Sequence, residues 1–192
     1  IGSSSGIAVG LSPDTATVYY TMPTGCRSST LITVRPSAPI TGSASICIGS
    51  SSTYSNLYPG GTWQSSAPFI ASIGLTSGTA IGVSTGVVTF TYVLPSGCTN
   101  IFTSTVNPSP AAITGSAGVC IGNTTSLSIV TTGGSWSSAN PPIGTVGLTS
   151  GIVTGIAAGT ANIYYTLPTG CRAARTVTVS PISSLSGSST VC

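Results

Sequence analysis

The residues able to do chemistry in this chain are six cysteines and five charged side chains. The charged residues are Asp14, Arg27, Arg35, Arg172 and Arg175, and the chain contains no histidine, lysine or glutamate. General acid-base catalysis needs a tunable pair of groups, and a hydrolytic metal needs three or four His, Asp, Glu or Cys ligands. A single aspartate supplies neither, so we predict that the protein is not an enzyme and holds no metal or other cofactor.

The low charge also limits the choice of partner. A net charge of +3 over 192 residues falls far short of the clustered basic surface that binding to a phosphate backbone requires. Mean hydropathy is +0.50, yet no stretch approaches the 18 or more apolar residues of a spanning helix. We therefore predict no nucleic-acid partner and no membrane span in this segment.

The cysteines permit three interpretations: disulfides, metal ligands or reactive thiols. Successive cysteines are 21, 51, 22, 51 and 21 positions apart, whereas zinc sites usually contain close Cys pairs. A reactive thiol needs a cationic setting, and Thr99 follows Cys98 where arginine follows two of the others. Structural disulfides fit best, and because they persist in oxidising compartments we predict an exported protein, located extracellularly or at the cell surface.

The cysteines keep a fixed register within an internal repeat of 72 to 73 residues. Residues 40–49 (ITGSASICIG) recur at 113–122 (ITGSAGVCIG) and begin again at 185–192 (LSGSSTVC). We predict two complete repeats, 40–109 and 113–181, preceded by the C-terminal half of a repeat (1–39) and followed by the start of another (185–192). Because half a sandwich leaves an apolar face in water, we expect that the natural chain continues in both directions or that a neighbouring chain completes the ends.

Each repeat shows the period-two alternation of strands with one buried face. Val88, Phe90, Tyr92 and Leu94 share one parity, with mostly polar residues between them. About seven short strands separated by Gly- and Pro-containing turns predict an all-β protein with one antiparallel β-sandwich of about 72 residues per repeat. The aromatic residues that we predict in the cores are Trp63, Trp136, Tyr20, Tyr92 and Tyr165.

The run from Trp136 to Tyr165, followed by R-T-V-T-V, resembles the bacterial immunoglobulin-like domain of group two. The run from Trp63 to Val106 matches that pattern more loosely. The resemblance implies tandem Ig-like sandwiches of the kind found in adhesins, invasins and surface-layer proteins. The cysteine pair in each repeat departs from the usual pattern, and is similar to the cysteine-containing repeats of very large exported Bacteroidetes proteins.

An Ig-like topology would separate the two cysteines of one repeat. Cys47 would lie near the first turn and Cys98 near the last, at opposite ends of strands that span about 17 to 23 Å. A disulfide tolerates a Cα separation of at most about 7 Å, and pairing Cys98 with Cys120 would require the last strand to fold back over the linker. We therefore predict a bond between Cys47 and Cys171, unless the cysteines lie one strand end from these positions. The cysteines left to pair with other repeats or chains would be Cys26, Cys98, Cys120 and Cys192.

Other candidate sites lie on the outward face. Tyr19 and Tyr164 could stack on sugar rings or on a neighbouring repeat. Asn123 begins an N-glycosylation sequon, and Thr15 lies in an Asp-Thr-Ala tripeptide that resembles the O-glycosylation motif of Bacteroidetes. An ordinary turn or strand position is the alternative for both tripeptides.

These observations favour a structural repeat segment of an extracellular filament, fibre or adhesin stalk, stiffened by disulfides between repeats. The expected partners are copies of the chain or adjacent repeats, because a surface rich in Ser and Thr and poor in charge permits close lateral association. The alternatives are an adhesion module that binds carbohydrate or a cell surface and, third, an ice-binding array of threonines.

Overall fold

The computed structural model describes residues 2–35 and 37–182, and across these ranges all regular secondary structure is β-strand. None of the described residues forms a helix with the length and hydropathy needed to cross a bilayer. The predictions that concern Cys192 and residues 185–192 lie outside the described residues. The described chain divides into two compact units, one containing residues 2–46 and 50–106, the other residues 47–49 and 107–182.

The first unit begins with a two-stranded antiparallel hairpin formed by β1 (Asp14–Thr21) and β2 (Arg27–Val34). Tyr20 was predicted to be a core aromatic residue, and this prediction is wrong: Tyr20 is 70% exposed. Met22, on the same face, is 47% exposed. Among the described residues this hairpin forms a two-stranded sheet by itself, and Tyr20 and Met22 on its apolar parity are left exposed.

Residues 40–109 form two sheets. One has the strand order β3-β9-β8-β5 and the other β4-β7-β6, and a bridge between Thr41 and Ser55 extends the second sheet. The strands are β3 (Ser45–Cys47), β4 (Ser51–Thr53), β5 (Thr62–Ser65), β6 (Ala71–Ile73), β7 (Thr79–Gly82), β8 (Gly86–Val93) and β9 (Thr99–Asn107).

Residues 113–181 repeat this arrangement, with the sheet orders β11-β17-β16-β13 and β10-β12-β15-β14. The strands are β10 (Thr114–Gly115), β11 (Gly118–Cys120), β12 (Thr124–Ser128), β13 (Ser135–Ser138), β14 (Gly144–Val146), β15 (Ile152–Gly155), β16 (Gly159–Thr166) and β17 (Arg172–Ser180). The first strand is split between the sheets, so that β10 pairs with β12 while β11 runs parallel to β17. In one sheet the first strand is followed by the second, fifth and fourth, and in the other the seventh, sixth and third strands lie side by side. This is the strand order of an Ig-type sandwich, and the predicted all-β, Ig-like fold is confirmed.

The cores follow the parity seen in the sequence. Along β8, Val88, Phe90 and Tyr92 are 1%, 0% and 5% exposed, while the side chains between them are half-buried. In β16 the equivalent positions Ala161 and Ile163 are fully buried. One face of β8 thus packs in the first core and one face of β16 in the second, as period-two patterning requires.

Candidate functional site

The first cysteine position follows a tight β-hairpin turn with the sequence Pro-Thr/Ser-Gly-Cys. In the turn before β17, the amide of Gly170 donates to Leu167 O (2.9 Å) and the amide of Leu167 donates to Cys171 O (2.8 Å). Gly170 has φ of +88°, which side chains other than glycine rarely adopt. Proline before it presets the φ of the turn, so the sequence itself fixes where the cysteine enters β17.

The same turn occurs three times. Met22 and Leu94 make the equivalent bonds to Cys26 O (2.8 Å) and Cys98 O (2.9 Å), with Gly25 and Gly97 both at φ of +85°. We call Cys26, Cys98 and Cys171 the hairpin cysteines. Their turns have the same backbone geometry, whereas their exposure differs: Cys171 is buried, Cys98 half-buried and Cys26 exposed.

The second cysteine position is a Cys-Ile-Gly corner that follows the short parallel strand. After Cys47, the amide of Ile48 donates to Asn107 O (3.0 Å), and after Cys120 the amide of Ile121 donates to Ser180 O (3.0 Å). The glycines that end the two corners have φ of +78° and +80°. We call Cys47 and Cys120 the corner cysteines. Each corner is fixed beside the end of the last strand of its own repeat.

The two cysteine types lie at opposite ends of a repeat. Cys98 immediately precedes β9, and Cys47 lies beside Asn107, at the other end of that strand. Eight residues of extended strand span about 27 Å, several times the Cα separation that a disulfide accepts. A bond between Cys47 and Cys98 is therefore incompatible with this fold.

The structure brings a corner cysteine and a hairpin cysteine together. The sulfur atoms of Cys47 and Cys171 are 2.03 Å apart and their Cα atoms 5.6 Å apart, within the usual range for a disulfide. The bond joins residues 124 positions apart, and Cys171 is fully buried. Among the described residues, Cys26 and Cys120 are exposed thiols and Cys98 is a half-buried one.

The aromatic residues of the two repeats form matching pairs. Trp63 and Tyr92 have ring centroids 4.6 Å apart, and Trp136 and Tyr165 have theirs 5.0 Å apart, all four side chains being 4% or 5% exposed. The hydroxyl of Tyr92 accepts from Gly61 N (2.8 Å) and donates to Tyr58 O (2.9 Å). Hollows of about 360 and 370 Å³ lie over these pairs, but the buried rings offer no open face for a ligand.

The outward tyrosines carry arginine on their rings. Arg27 lies 3.9 Å from the ring centroid of Tyr19, and Arg172 lies 4.4 Å from that of Tyr164. Tyr19 is 54% exposed and Tyr164 is half-buried. One face of each ring is thus covered by a cation, and a stacking partner would have to use the other face.

Both candidate glycosylation residues are exposed. Thr15 lies in β1, where its amide donates to the Asp14 carboxylate (2.7 Å). Asn123 lies just past the corner that contains Cys120, and its amide donates to Cys120 O (3.0 Å). Neither side chain is enclosed by the fold, so a modifying enzyme could reach both.

From the sequence we did not predict the side chains that donate hydrogen bonds to the backbone carbonyls of the split first strand. In the second unit, Arg175 donates from Nη1 to Ile113 O (3.0 Å) and from Nη2 to Gly115 O (2.6 Å). Strand parity could have indicated that Arg175 faces inward, because it alternates in register with Val177 and Val179 along β17.

In the repeat of residues 40–109, a different pair of side chains serves the split strand. Tyr54 Oη donates to Ser43 O (2.7 Å) and Ser104 Oγ also donates to Ser43 O (3.2 Å). Tyr54 and Ser104 are each 1% exposed. Burial raises the pKa of Tyr54 above its ordinary value.

Across residues 2–35 and 37–182, three or more His, Cys, Asp or Glu side chains do not come together anywhere. The described thiols of Cys26, Cys98 and Cys120 can undergo oxidation and thiol-disulfide exchange.

The strand order and pairing define tandem Ig-type β-sandwiches, with cysteines at both ends of each complete repeat. No protein-family model matches the chain, and no curated protein sequence matches it. The chain is similar in structure to the 282-residue C-terminal fragment of intimin, solved in complex with the intimin-binding domain of the translocated intimin receptor. The two are 15% identical with a TM-score of 0.42, and the match covers 75% of this chain and 64% of that fragment.

Two further solved structures show a similar likeness. Domains 4 and 5 of the S-layer protein SbsC are 14% identical, covering 84% of this chain and 88% of that one, with a TM-score of 0.30. The Bacteroides ovatus protein SGBP-B, from a mixed-linkage glucan utilization locus and in complex with a mixed-linkage heptasaccharide, is 15% identical. That match covers 94% of this chain and 57% of that one, with a TM-score of 0.28. Because all these scores are low, the fold assignment rests on the strand order described above.

Proposed function

We propose that this chain is a structural segment of an extracellular filament, fibre or adhesin stalk, built from Ig-like repeats that disulfides link to one another. The repeats are residues 40–109 and 113–181, with parts of further repeats at 1–39 and 185–192. The chain has no enzymatic role in this proposal. Its partners are adjacent repeats or other copies of the chain, through the cysteines that remain.

One observation carries the proposal: the disulfide joins a corner cysteine of one repeat to a hairpin cysteine of the next. Cys47 belongs by sequence to the repeat of residues 40–109 and Cys171 to that of residues 113–181. Both positions recur in register, so the same bond can form at every step of a longer array.

The disulfide changes the path that a pulling force takes through the chain. Tension entering along β3 reaches Cys47, crosses the disulfide and leaves through Cys171 into β17. Residues 48–170, which include most of both repeats, are enclosed by the bond and carry no tension while it is intact. An array cross-linked in this way resists extension by covalent bonds rather than by strand hydrogen bonds alone.

The location follows from the same bond. Disulfides persist in oxidising compartments and are rare where thiols are kept reduced, which supports an exported protein at the cell surface or beyond it. A surface with few charges and many hydroxyls suits close association with further copies. Glycans attached to Thr15 or Asn123 would instead hold neighbours apart.

Single-molecule pulling between the two ends of the chain tests this proposal. With the disulfide intact, the extension should lack the contribution of residues 48–170, about 430 Å at the length of an extended chain. Reductant should restore that length, and the variant with both Cys47→Ser and Cys171→Ser should show it without reductant. Full extension of the oxidised protein, or peptide mapping that recovers Cys47 bonded to Cys98, would overturn the proposal.

Carbohydrate binding is the second candidate. It is favoured by the exposure of Tyr19 and by the Arg27 guanidinium across its ring, since an aromatic face beside hydrogen-bond donors can hold a sugar. A glycan array would show binding that Tyr19→Ala and Tyr164→Ala reduce. Binding by the doubly substituted protein equal to that of the wild type would exclude these platforms.

A further inference from the structure

We propose that a groove on the first unit accepts an extended strand that ends in cysteine, and that Cys98 is its covalent partner. The groove measures about 680 Å³ and lies beside β2. The lining residues used in the argument are Gly10, Ala16, Ile32, Thr33, Val34, Arg35 and Cys98. The inference names the strand that a cross-linked array would place here, and in that sense it rests on the proposed function.

The groove corresponds to a position that is filled in both complete repeats. Counting from the hairpin cysteines, β2 is equivalent to β9 and β17. β3 lies beside β9 in its sheet, and β11 lies beside β17 in its sheet. Both filling strands end in a corner cysteine. Among the described residues, β2 pairs with β1 alone, so its other edge is open.

The backbone of this open edge is equivalent to an edge that holds a parallel strand. In the second unit, Thr178 N donates to Ala117 O (2.8 Å) and Ser180 O accepts from Ile121 N (3.0 Å). By count from the hairpin cysteines, the equivalent positions are Thr33 on β2 and Arg35, which directly follows β2. A strand added at this edge would therefore meet a donor and an acceptor at the spacing of the filled sheet, which is the usual basis of recognition by β-augmentation.

The apolar lining matches the side chain that precedes the corner cysteine. In the second unit, Val119 of β11 packs in one cluster with Ala161, Val177 and Val179. The residues equivalent to Ala161, Val177 and Val179 are Ala16 on β1 and Ile32 and Val34 on β2, and all three line the groove. A valine or isoleucine one position before cysteine would fill the same space here.

A glycine marks where the corner would lie. A Cβ atom on Gly155 would come within 2.7 Å of Cys120 O, because the corner backbone packs directly on that glycine. Gly10 is the equivalent residue, and the three atoms nearest to a Cβ atom there all belong to the side chain of Val34, with no backbone atom among them. The surface that receives the corner backbone in the second unit is thus present and uncovered beside Gly10.

The occupant that we assign is a strand with the pattern Gly-Ser-x-x-Val/Ile-Cys. This pattern precedes both corner cysteines, at residues 42–47 and 115–120, and it occurs a third time in the sequence LSGSSTVC of residues 185–192. Cys98 shares the turn geometry of Cys171, which bonds a corner cysteine. The incoming cysteine should therefore bond Cys98 as Cys47 bonds Cys171.

The bond can form by thiol-disulfide exchange without net oxidation. If the cysteine of the incoming strand carries glutathione as a mixed disulfide, the Cys98 thiolate attacks that sulfur and glutathione leaves as a thiolate. The new bond joins the strand to Cys98, and the proton lost by Cys98 is taken up by the released glutathione. With a free thiol on the strand, oxidised glutathione accepts the two electrons and is reduced to two thiols.

The experiment uses the 192-residue chain with Cys192→Ser and the synthetic peptide LSGSSTVC carrying the glutathione mixed disulfide. Mass spectrometry after alkylation measures how fast the peptide attaches to Cys26, Cys98 and Cys120. We expect attachment at Cys98 to be at least about tenfold faster than at exposed Cys26, since burial of the valine adds affinity only there. In denaturant the rates should become equal.

Three controls separate the outcomes. A peptide with aspartate in place of valine and an unrelated apolar peptide ending in cysteine should both lose the preference for Cys98. A peptide ending in serine should slow the reaction by competing for the groove. Equal rates at the hairpin cysteines of the folded protein, or an unrelated peptide as selective as LSGSSTVC, would overturn the inference. The proposed function would survive that result if the bond between Cys47 and Cys171 is recovered by mapping.

Discussion

The two complete repeats have the same arrangement of strands and turns but differ in the side chains that fill their interiors. Both have the same two-sheet order, the same turn before the last strand and the same Trp-Tyr pair. The first repeat (residues 40–109) fills its centre with aromatic rings and hydroxyls, whereas the second (residues 113–181) uses aliphatic side chains and an arginine. The interior residues that differ, in matching order, are Tyr54, Phe90, Phe102 and Ser104 in the first repeat and Leu127, Ile163, Arg175 and Val177 in the second.

This difference shows which hydrogen-bond donors the interior of a repeat supplies to its first strand. The first strand of each repeat is split between the two sheets, which leaves carbonyl groups near the split without a ladder partner. The first repeat supplies Tyr54 and Ser104 as donors to Ser43 O, and the second supplies Arg175 to Ile113 O and Gly115 O. The carbonyls served are not equivalent positions, since Ser43 corresponds to Ser116 in the second repeat and Gly115 corresponds to Gly42 in the first. Each interior therefore supplies its own side-chain donors to its own first strand, because leaving a carbonyl unpaired is costly.

The largest effect should come from removing the bond that joins residues of the two repeats. Cross-linking across 124 positions stabilises by about 5 kcal/mol in the chain-entropy model, through a less disordered unfolded state. Replacing Cys47 and Cys171 together by serine should cost about that amount in the free energy of unfolding. Urea unfolding followed by tryptophan fluorescence should then resolve separate transitions for the two repeats.

The matched control is the wild-type protein in reductant, which should unfold like the doubly substituted variant. Replacing the exposed Cys120 by serine should leave the unfolding midpoint of the monomer unchanged. A double variant as stable as the oxidised wild type would mean that the bond does not cross-link the native monomer.

The second effect concerns Arg175 and only the second repeat. Arg175→Met keeps the apolar stem but removes two charge-assisted hydrogen bonds, so we expect a loss of about 3 kcal/mol after allowing for its partial exposure. In the background without the disulfide, only the transition of residues 113–181 should move. Arg172→Met, which removes an exposed arginine from the Tyr164 ring, should cost less than about 0.5 kcal/mol. Equal effects of the two substitutions would contradict the role of Arg175.

The sequence predicted the buried faces of the strands and the class of fold, but it did not predict the side-chain donors to the split first strand. Alternation along β8 and β16 identified the buried face correctly, since period two is set by strand geometry alone. Tyr20 has the same parity, but its burial depends on a covering sheet that no local pattern encodes. Arg175 shares the parity of Val177, but its hydrogen bonds could not be predicted locally, because its partners are carbonyls about 60 positions away.

A smaller effect should distinguish the first repeat. Tyr54→Phe keeps the ring packed against Phe90 and Phe102 but leaves Ser43 O with the Ser104 hydroxyl as its one remaining side-chain donor. We expect a loss of about 1 kcal/mol in the transition of residues 40–109 and none in the other. Tyr19→Phe removes an exposed hydroxyl and serves as the control. If Tyr54→Phe is as harmless as that control, the hydroxyl is not needed at the split strand.

The smallest effect, at alkaline pH, should also be confined to the first repeat. Burial raises the pKa of Tyr54, so above about pH 10 the unfolded chain loses this proton while the folded chain keeps it. Stability should therefore fall as pH rises above about 10, until the folded state also ionises. Leu127 occupies this position in the second repeat, which lacks the contribution. Urea midpoints between about pH 9 and 11, measured without the disulfide, should diverge between the repeats and converge on Tyr54→Phe. If the two repeats lose stability in parallel, the buried hydroxyl is not what distinguishes their interiors.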